Sequence, residues 1–429
     1  MLEGSRLSIS WQRLSRPLRV RGFVRDNALL FAATVGAGFF GYVFHFALGR
    51  LLGPAAYSVV AAAVSAVYLL TLPSLVIQLV SARFTSVATA RQEPLVLRPL
   101  ARMLTVVSLG IGALTGLIVW LLRDVVAAFL QLPQHGIVAV LAVSTLLGML
   151  VSTNRGILQG LQRFGWLALN LVLDAFAKVA IAVGMVLLGF GASGAVVGVL
   201  AGPGIAYLQS LPTVLRLPRG APARTIPGRD VARYAAPTVA AVVGITYLFN
   251  IDVVLARHYL PAHEAGIYAA GAVLARAIYF IGTTVSAVMF PEVASRHARD
   301  ETHFHVVDAS LLFVAAVGGA LLLVYWLLPE LVLLPYGSQF TDVRPYLGAF
   351  AAALGLLTLS NLLVNYFLSV DSTRFAAPLL TVGGLETLLM VIFHQNVGQL
   401  LAVLVVSNVC LAAALGALYL LDRRRERIS

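Results

Sequence analysis

Few residues in this sequence could do chemistry, and those few stand inside long apolar runs. Arg276, Asp252, Glu386, Asp174 and Lys178 are ionisable, and Lys178 is the only lysine in the chain. Asn154, Arg155, Gln159, Asn361 and Asn365 form a second, polar set. There is no Gly-rich phosphate loop of nucleotide-binding type, no Cys/His zinc signature and no nucleophile elbow. The sequence therefore calls for no cofactor and no resident metal, and ATP hydrolysis within the chain is not expected. His297, His303 and His305, beside Asp300 and Glu301, have a spacing that fits no strong metal pattern and read as a solvated loop. Charged groups in apolar surroundings are costly and mark binding sites, ion pairs or proton and cation relays.

The elements that must position these residues follow from composition. The chain has 429 residues, 60% hydrophobic and 11% charged, where a soluble domain averages about 25% charged. Its solvent is lipid. A spanning helix needs about 20 mostly apolar residues. Twelve segments qualify: Asn27–Leu48, Tyr57–Val80, Met103–Leu122, Gly136–Thr153, Trp166–Phe190, Gly194–Leu211, Tyr234–Ala256, Ala265–Phe290, Val306–Leu328, Tyr346–Val370, Phe375–His394 and Gln399–Leu421. The fold class is all-α integral membrane, with no extramembrane domain large enough for a separate enzyme. Cys410, the only cysteine, lies in an apolar run and reads as a small core hydrophobe.

Arginines orient the spans. With the N-terminus in the cytoplasm, 24 of the 29 arginines fall on cytoplasmic segments, four (Arg50, Arg123, Arg257 and Arg344) fall outside, and Arg276 is intramembrane. Basic residues near spans are retained in the cytoplasm, so both termini are expected there. The net charge of +12 then orients the protein and meets anionic lipid headgroups; nucleic acid is not an expected partner. Ser5–Arg25 reads as a basic helix on the inner leaflet or as a disordered basic tail.

The chain also repeats itself. Arg50 and Arg257 are 207 residues apart, as are Pro54 and Pro261, and Asn154 and Asn361. Each copy closes the last of these helices with Arg-Phe, at Arg163-Phe164 and Arg374-Phe375. Two six-helix halves in parallel orientation are expected, as in transporters whose halves rock about a central cavity. The boundaries are a basic segment 1–26, a first bundle 27–212, a basic linker 213–233, a second bundle 234–421 and a basic tail 422–429.

The run Ala47-Leu48-Gly49-Arg50-Leu51-Leu52-Gly53-Pro54-Ala55-Ala56-Tyr57 resembles the first outer loop of the bacterial polysaccharide (O-antigen type) flippases. So do Asn250 to Arg257 and Ala265-Gly266-Ile267-Tyr268-Ala269-Ala270. Tyr336-Gly337-Ser338-Gln339-Phe340 and Asn361 to Arg374 are similar to that family's later half. The resemblance implies two six-helix bundles in a V around a central cavity, shared with multidrug and toxin extrusion antiporters and lipid II flippases. It implies movement of an undecaprenyl-diphosphate-linked oligosaccharide between leaflets by alternating access, coupled to a gradient of H+ or Na+, alongside other polysaccharide biosynthesis proteins. Lipid II flippases usually carry extra C-terminal helices, which this chain is too short to hold.

Such a substrate needs cations for its phosphates across about 30 Å of hydrocarbon. Arg276, eleven residues into the eighth span and so roughly 16 Å deep, reads as that cation or as an ion-pair partner of Asp252 or Glu386. Asp252 and Glu386 read as coupling carboxylates. Otherwise Asp252 partners Arg257 or caps a helix, and Glu386 is a neutral structural group. Asp174 and Lys178 share a helix face and read as a neutralising pair, or as a coupling acid and a phosphate contact if they face the cavity. Asn154, Arg155, Gln159, Asn361 and Asn365 either frame the cavity's inner mouth or hydrogen-bond between helices. His45 reads as a hydrogen-bonded residue near an interface, and Pro73 as a kink. Two other functions remain open. One is a drug or cation antiporter on the same fold. The other is a membrane polysaccharide polymerase or ligase, although the longest outer connection, Leu328–Pro345, offers few candidate residues.

Overall fold

The computed structural model describes residues 20–218 and 228–426, with side chains over 28–218 and 238–425. The expected basic surface segment before residue 20, the core of the basic linker and the last three residues lie outside the described residues. Every regular element among the described residues is helical, as an apolar solvent requires, because a helix satisfies its own backbone.

The first two passes are one interrupted rod. α1 (Val20–Leu70) turns at Gly53, whose φ of 69° is open to glycine at little cost; Pro54 then restarts the helix. The second pass continues past a break at Thr71 into α2 (Leu72–Ala90), with Pro73 in its first turn. The expected kink at Pro73 is therefore a true interruption. α3 (Pro94–Leu121) and α5 (Gly136–Gly160) flank a short helix, α4 (Arg123–Phe129). α6 (Phe164–Met185) and α7 (Gly191–Leu215) are joined by a tight turn with positive φ at Gly189 and Gly191.

The second half repeats this plan. Its first pass is split into α8 (Gly228–Leu248) and α9 (Ile251–Tyr259). α10 (Ala262–His297) and α11 (Phe304–Leu327) follow, then a short helix, α12 (Pro329–Leu333). After a tight turn of helix at Ser338–Tyr346 come α13 (Leu347–Ser369), α14 (Ala376–Ile392) and α15 (Val397–Glu426). These helices make twelve passes. α4 and α12 hold the same place in each half, after the third pass.

Packing divides the passes into two six-helix bundles forming a V. Small residues let the helices close. Gly156 and Gly160 of α5 sit against the α2 backbone at Gln78 and Ala82, and Gly198 and Gly202 of α7 sit against α6. With no hydrophobic force between helices in lipid, such close approach is what holds them. Large apolar residues such as Leu187, Leu188, Val288, Leu312 and Trp326 are exposed, as lipid-facing surface should be. The halves meet chiefly through α1 against α10 and α9, and α2 against α8.

Candidate functional site

Two cavities lie between the middle of the molecule and its arginine-rich face, one in each half, and they share Thr246 of α8. The first has a volume of about 230 Å3 and is lined by Gln78, Arg155, Asp174 and Lys178. The second, of about 310 Å3, is lined by Tyr279, Thr283, Asn361 and Asn365.

In the first cavity the charges are arranged by α5 and α6. Arg155 donates from Nη2 to Asp174 Oδ2 at 2.6 Å and from Nε to Asn170 Oδ1 at 2.7 Å. Asn170 in turn donates to the Ala206 carbonyl and to Gln209 on α7. The expected pairing of Asp174 with Lys178 does not form. A guanidinium fork spans Asn170 and Asp174, which are one turn apart, and a single ammonium has no such geometry. Lys178 sits instead with Nζ 5.0 Å from the Phe44 ring centre, a cation–π contact. The charged lining is thus Arg155, Lys178 and Asp174, a net of one positive charge.

In the second cavity the lining is uncharged and largely apolar, with Thr246, Tyr279, Thr283, Ser286, Asn361 and Asn365 set among Ala, Val, Ile and Leu. Asn365 donates to the Asn361 carbonyl at 2.8 Å. Asn154, the repeat partner of Asn361, lines neither cavity. It is 2% exposed and donates to Ser210 Oγ at 2.8 Å, holding α5 to α7.

Three further expected site residues lie elsewhere. Arg276 lines neither cavity and forms no ion pair among the described residues. It is 8% exposed, donates to the Phe249 carbonyl at 2.6 Å and stacks over the Phe249 ring at 4.5 Å. The break between α8 and α9 frees that carbonyl, so Arg276 braces a discontinuous helix. Asp252 begins α9, where the helix dipole favours an anion, and Tyr268 Oη approaches its Oδ2 at 3.4 Å. Glu386 of α14 is 0% exposed, and neither of its oxygens has a hydrogen-bond partner. The two carboxylates are within electrostatic reach of each other, and Asp252 is within reach of Arg276. Asn250, Asn408 and Asp252 each also leave a buried side-chain oxygen unpartnered. His45 is hydrogen-bonded, to Tyr57 Oη at 2.9 Å.

Sequence reasoning passed over Gln78, Asn170, Gln209, Thr246 and Tyr279. Asn170 and Asp174 are polar at i and i+4 within an apolar helix, a signal that was readable. Thr246 carried none, because a lone Thr in a span ordinarily bonds its own helix.

The family model described as polysaccharide biosynthesis protein matches residues 47–345. No curated protein matches the chain. Among solved structures, an inward-facing multidrug resistance MATE family transporter of the MOP superfamily superposes with a TM-score of 0.73 at 12% identity, covering 91% of this chain and 94% of that one. Lipid II flippase MurJ in an inward closed conformation superposes at 0.70 and 12% identity, covering 90% and 86%. A MOP superfamily transporter from Pyrococcus furiosus superposes at 0.57 and 14%, covering 94% of each chain. At these identities the likeness shows the fold, twelve helices in two bundles around a central cavity. The chain is a multi-pass membrane protein with the fold of those transporters and belongs to the polysaccharide biosynthesis protein family.

Proposed function

We propose that this protein is a flippase for undecaprenyl-diphosphate-linked oligosaccharide in a bacterial cytoplasmic membrane. The arginine-rich face and both termini are cytoplasmic, as retention of basic residues requires. The halves are residues 27–212 and 234–421, joined by the basic linker 213–233. The reading rests above all on the charge of the cavity lining. Arg155 and Lys178 face Asp174 alone, which suits an anionic headgroup, and the uncharged second cavity offers a glycan the amides of Asn361 and Asn365 within a largely apolar lining. Lys178 is the phosphate contact, because no carboxylate holds its ammonium.

Coupling falls to Asp252 and Glu386. Buried oxygens without donors attract a proton or a small cation, and Asp252 and Glu386 leave three such oxygens between them. Binding there changes the charge of the second half without touching the cavity lining. The alternative, export of cationic drugs, would place carboxylates on that lining, where Asp174 alone stands and is held by Arg155.

The test is transport of a fluorescent undecaprenyl-diphosphate oligosaccharide in proteoliposomes, with and without H+ and Na+ gradients. The intact protein should move the lipid and Lys178→Met should slow it. No movement under any gradient, together with uptake of cationic dyes, would reverse the assignment in favour of the antiporter.

A further inference from the structure

The arginine-poor face is closed by contacts that obey the internal repeat. Arg257, at the end of α9, reaches into the first half. It donates from Nη2 to the Gln131 carbonyl at 2.6 Å, from Nε to the Leu130 carbonyl at 3.1 Å and from Nη1 to Ser58 Oγ at 2.9 Å. Arg50, its repeat partner on α1, reaches into the second half. It donates from Nε to the Pro335 carbonyl at 2.7 Å and from Nη2 to the Leu334 carbonyl at 2.6 Å. The acceptors correspond as well. Leu130 and Gln131 directly follow α4, and Leu334 and Pro335 directly follow α12. Each half offers one guanidinium and takes one through two adjacent carbonyls.

We propose that Arg50 and Arg257 form a reciprocal clasp that holds the arginine-poor face shut and releases when the cavities open to that side. The inference rests on the two-bundle transporter fold and not on which lipid is carried. Its chemistry favours a latch over a permanent tie. The acceptors of the clasp are neutral, so release strands no buried carboxylate, and water entering the parted mouth can hydrate both guanidinium and carbonyls. Charge-assisted bonds are still strong enough to bias a two-state equilibrium. Arginine stays protonated, so pH does not work the latch directly.

Other contacts at this level shut with it. Tyr57 Oη and Tyr336 Oη meet at 2.8 Å across the halves, with His45 behind Tyr57. Gly266 at the start of α10 lies so close to the Pro54 carbonyl that a Cβ there would collide with it. Gln131 donates to the His258 carbonyl at 2.7 Å, and the His258 ring stacks on Phe129 at 4.0 Å. Arg257 is 5% exposed and Arg50 is exposed, so the clasp has an inner and an outer arm.

The test uses the full chain carrying Cys410→Ser, since Cys410 is the sole native thiol, with spin-label pairs read by pulsed dipolar spectroscopy. Gln134→Cys with Thr341→Cys reports the arginine-poor face, and Ala90→Cys with Ala298→Cys reports the opposite face; all four positions are exposed. Arg50→Ala/Arg257→Ala should raise the long-distance population at the first pair about tenfold, within the range of an ordinary population shift. It should shorten the distance at the second pair. The single variants should fall between, and the shift should be the same at neutral and mildly alkaline pH. Unmoved distributions overturn the clasp. So does widening at the first pair without narrowing at the second, which is mere loosening. If Arg257→Ala does not fold, Arg50→Ala decides alone, since its side chain is exposed and its loss buries nothing unpaired.

Discussion

The two halves share a plan and differ in how they treat charge. In the first half every charged side chain of the cavity has a partner: Arg155 with Asp174, and Lys178 with the Phe44 ring. In the second half Glu386 and one oxygen of Asp252 have none, and the nearby cation, Arg276, serves a backbone carbonyl. The contrast reaches single positions. The 207-residue offset sets His45 opposite Asp252, a hydrogen-bonded imidazole against an under-satisfied carboxylate. One bundle holds a fixed, satisfied charge set suited to an anion. The other keeps vacant acceptors that a proton or small cation would fill.

The largest effect that tests this contrast is on stability. Arg155→Ala strands Asp174 and half of Asn170. Removing one partner of a buried ion pair costs 3–5 kcal/mol as a rule, but these side chains are 14% and 24% exposed, so we expect about 2–3 kcal/mol. Unfolding of the detergent-solubilised protein should show it, and Arg155→Ala/Asp174→Ala should recover more than half. A double variant as unstable as the single would mean that Arg155 acts through Asn170 rather than through charge.

Glu386→Gln should do the reverse. With no bond to lose, it should change stability by less than about 1 kcal/mol. Gradient-driven accumulation of substrate should fall about tenfold or more while exchange without a gradient persists, the signature of a lost coupling step. A Glu386→Gln protein that still responds fully to both H+ and Na+ gradients would remove the functional half of the contrast. Lys178→Met keeps an apolar chain against Phe44 and deletes the charge. Its stability cost should stay near 1 kcal/mol, with KM for the lipid raised about tenfold, as one charge-assisted contact warrants.

The spans, the repeat and the short list of intramembrane charges were legible in the sequence, because apolar runs and arginine placement are local signals. Partners were not. Asp174 and Lys178 stand one turn apart, yet Arg155 from another helix takes the acid. Arg276 looked like a cavity cation because its acceptor is a backbone carbonyl freed only where α8 stops at Leu248, and Phe249-Asn250 holds no Gly or Pro to announce a break. The clasp shows the same limit. Arg50 and Arg257 were found as a repeated pair, but their acceptors lie 285 and 126 residues away and carry no side-chain signal.

The smallest predicted effect separates two residues that the sequence treated as equals. Asn154 and Asn361 occupy one position in the repeat, on α5 and α13. Asn154 spends its amide on Ser210 between helices, whereas Asn361 borders the second cavity and receives Asn365 through its backbone. An interhelical hydrogen bond in a membrane protein is worth about 0.6–1 kcal/mol. Asn154→Ala should therefore lose about that much stability and leave KM unchanged. Asn361→Ala gives up no helix-to-helix bond, so its stability should hold while KM for a glycan-bearing lipid rises two- to threefold, as about 0.5 kcal/mol per lost polar contact implies. Comparing lipids with and without the glycan sharpens the result, because a contact to sugar disappears from the difference when the sugar is absent. If both variants lose stability alike and KM stays put, Asn361 is a second interhelical tie. The glycan would then meet the second half through the other polar lining residues, Asn365, Tyr279, Thr283, Thr246 and Ser286.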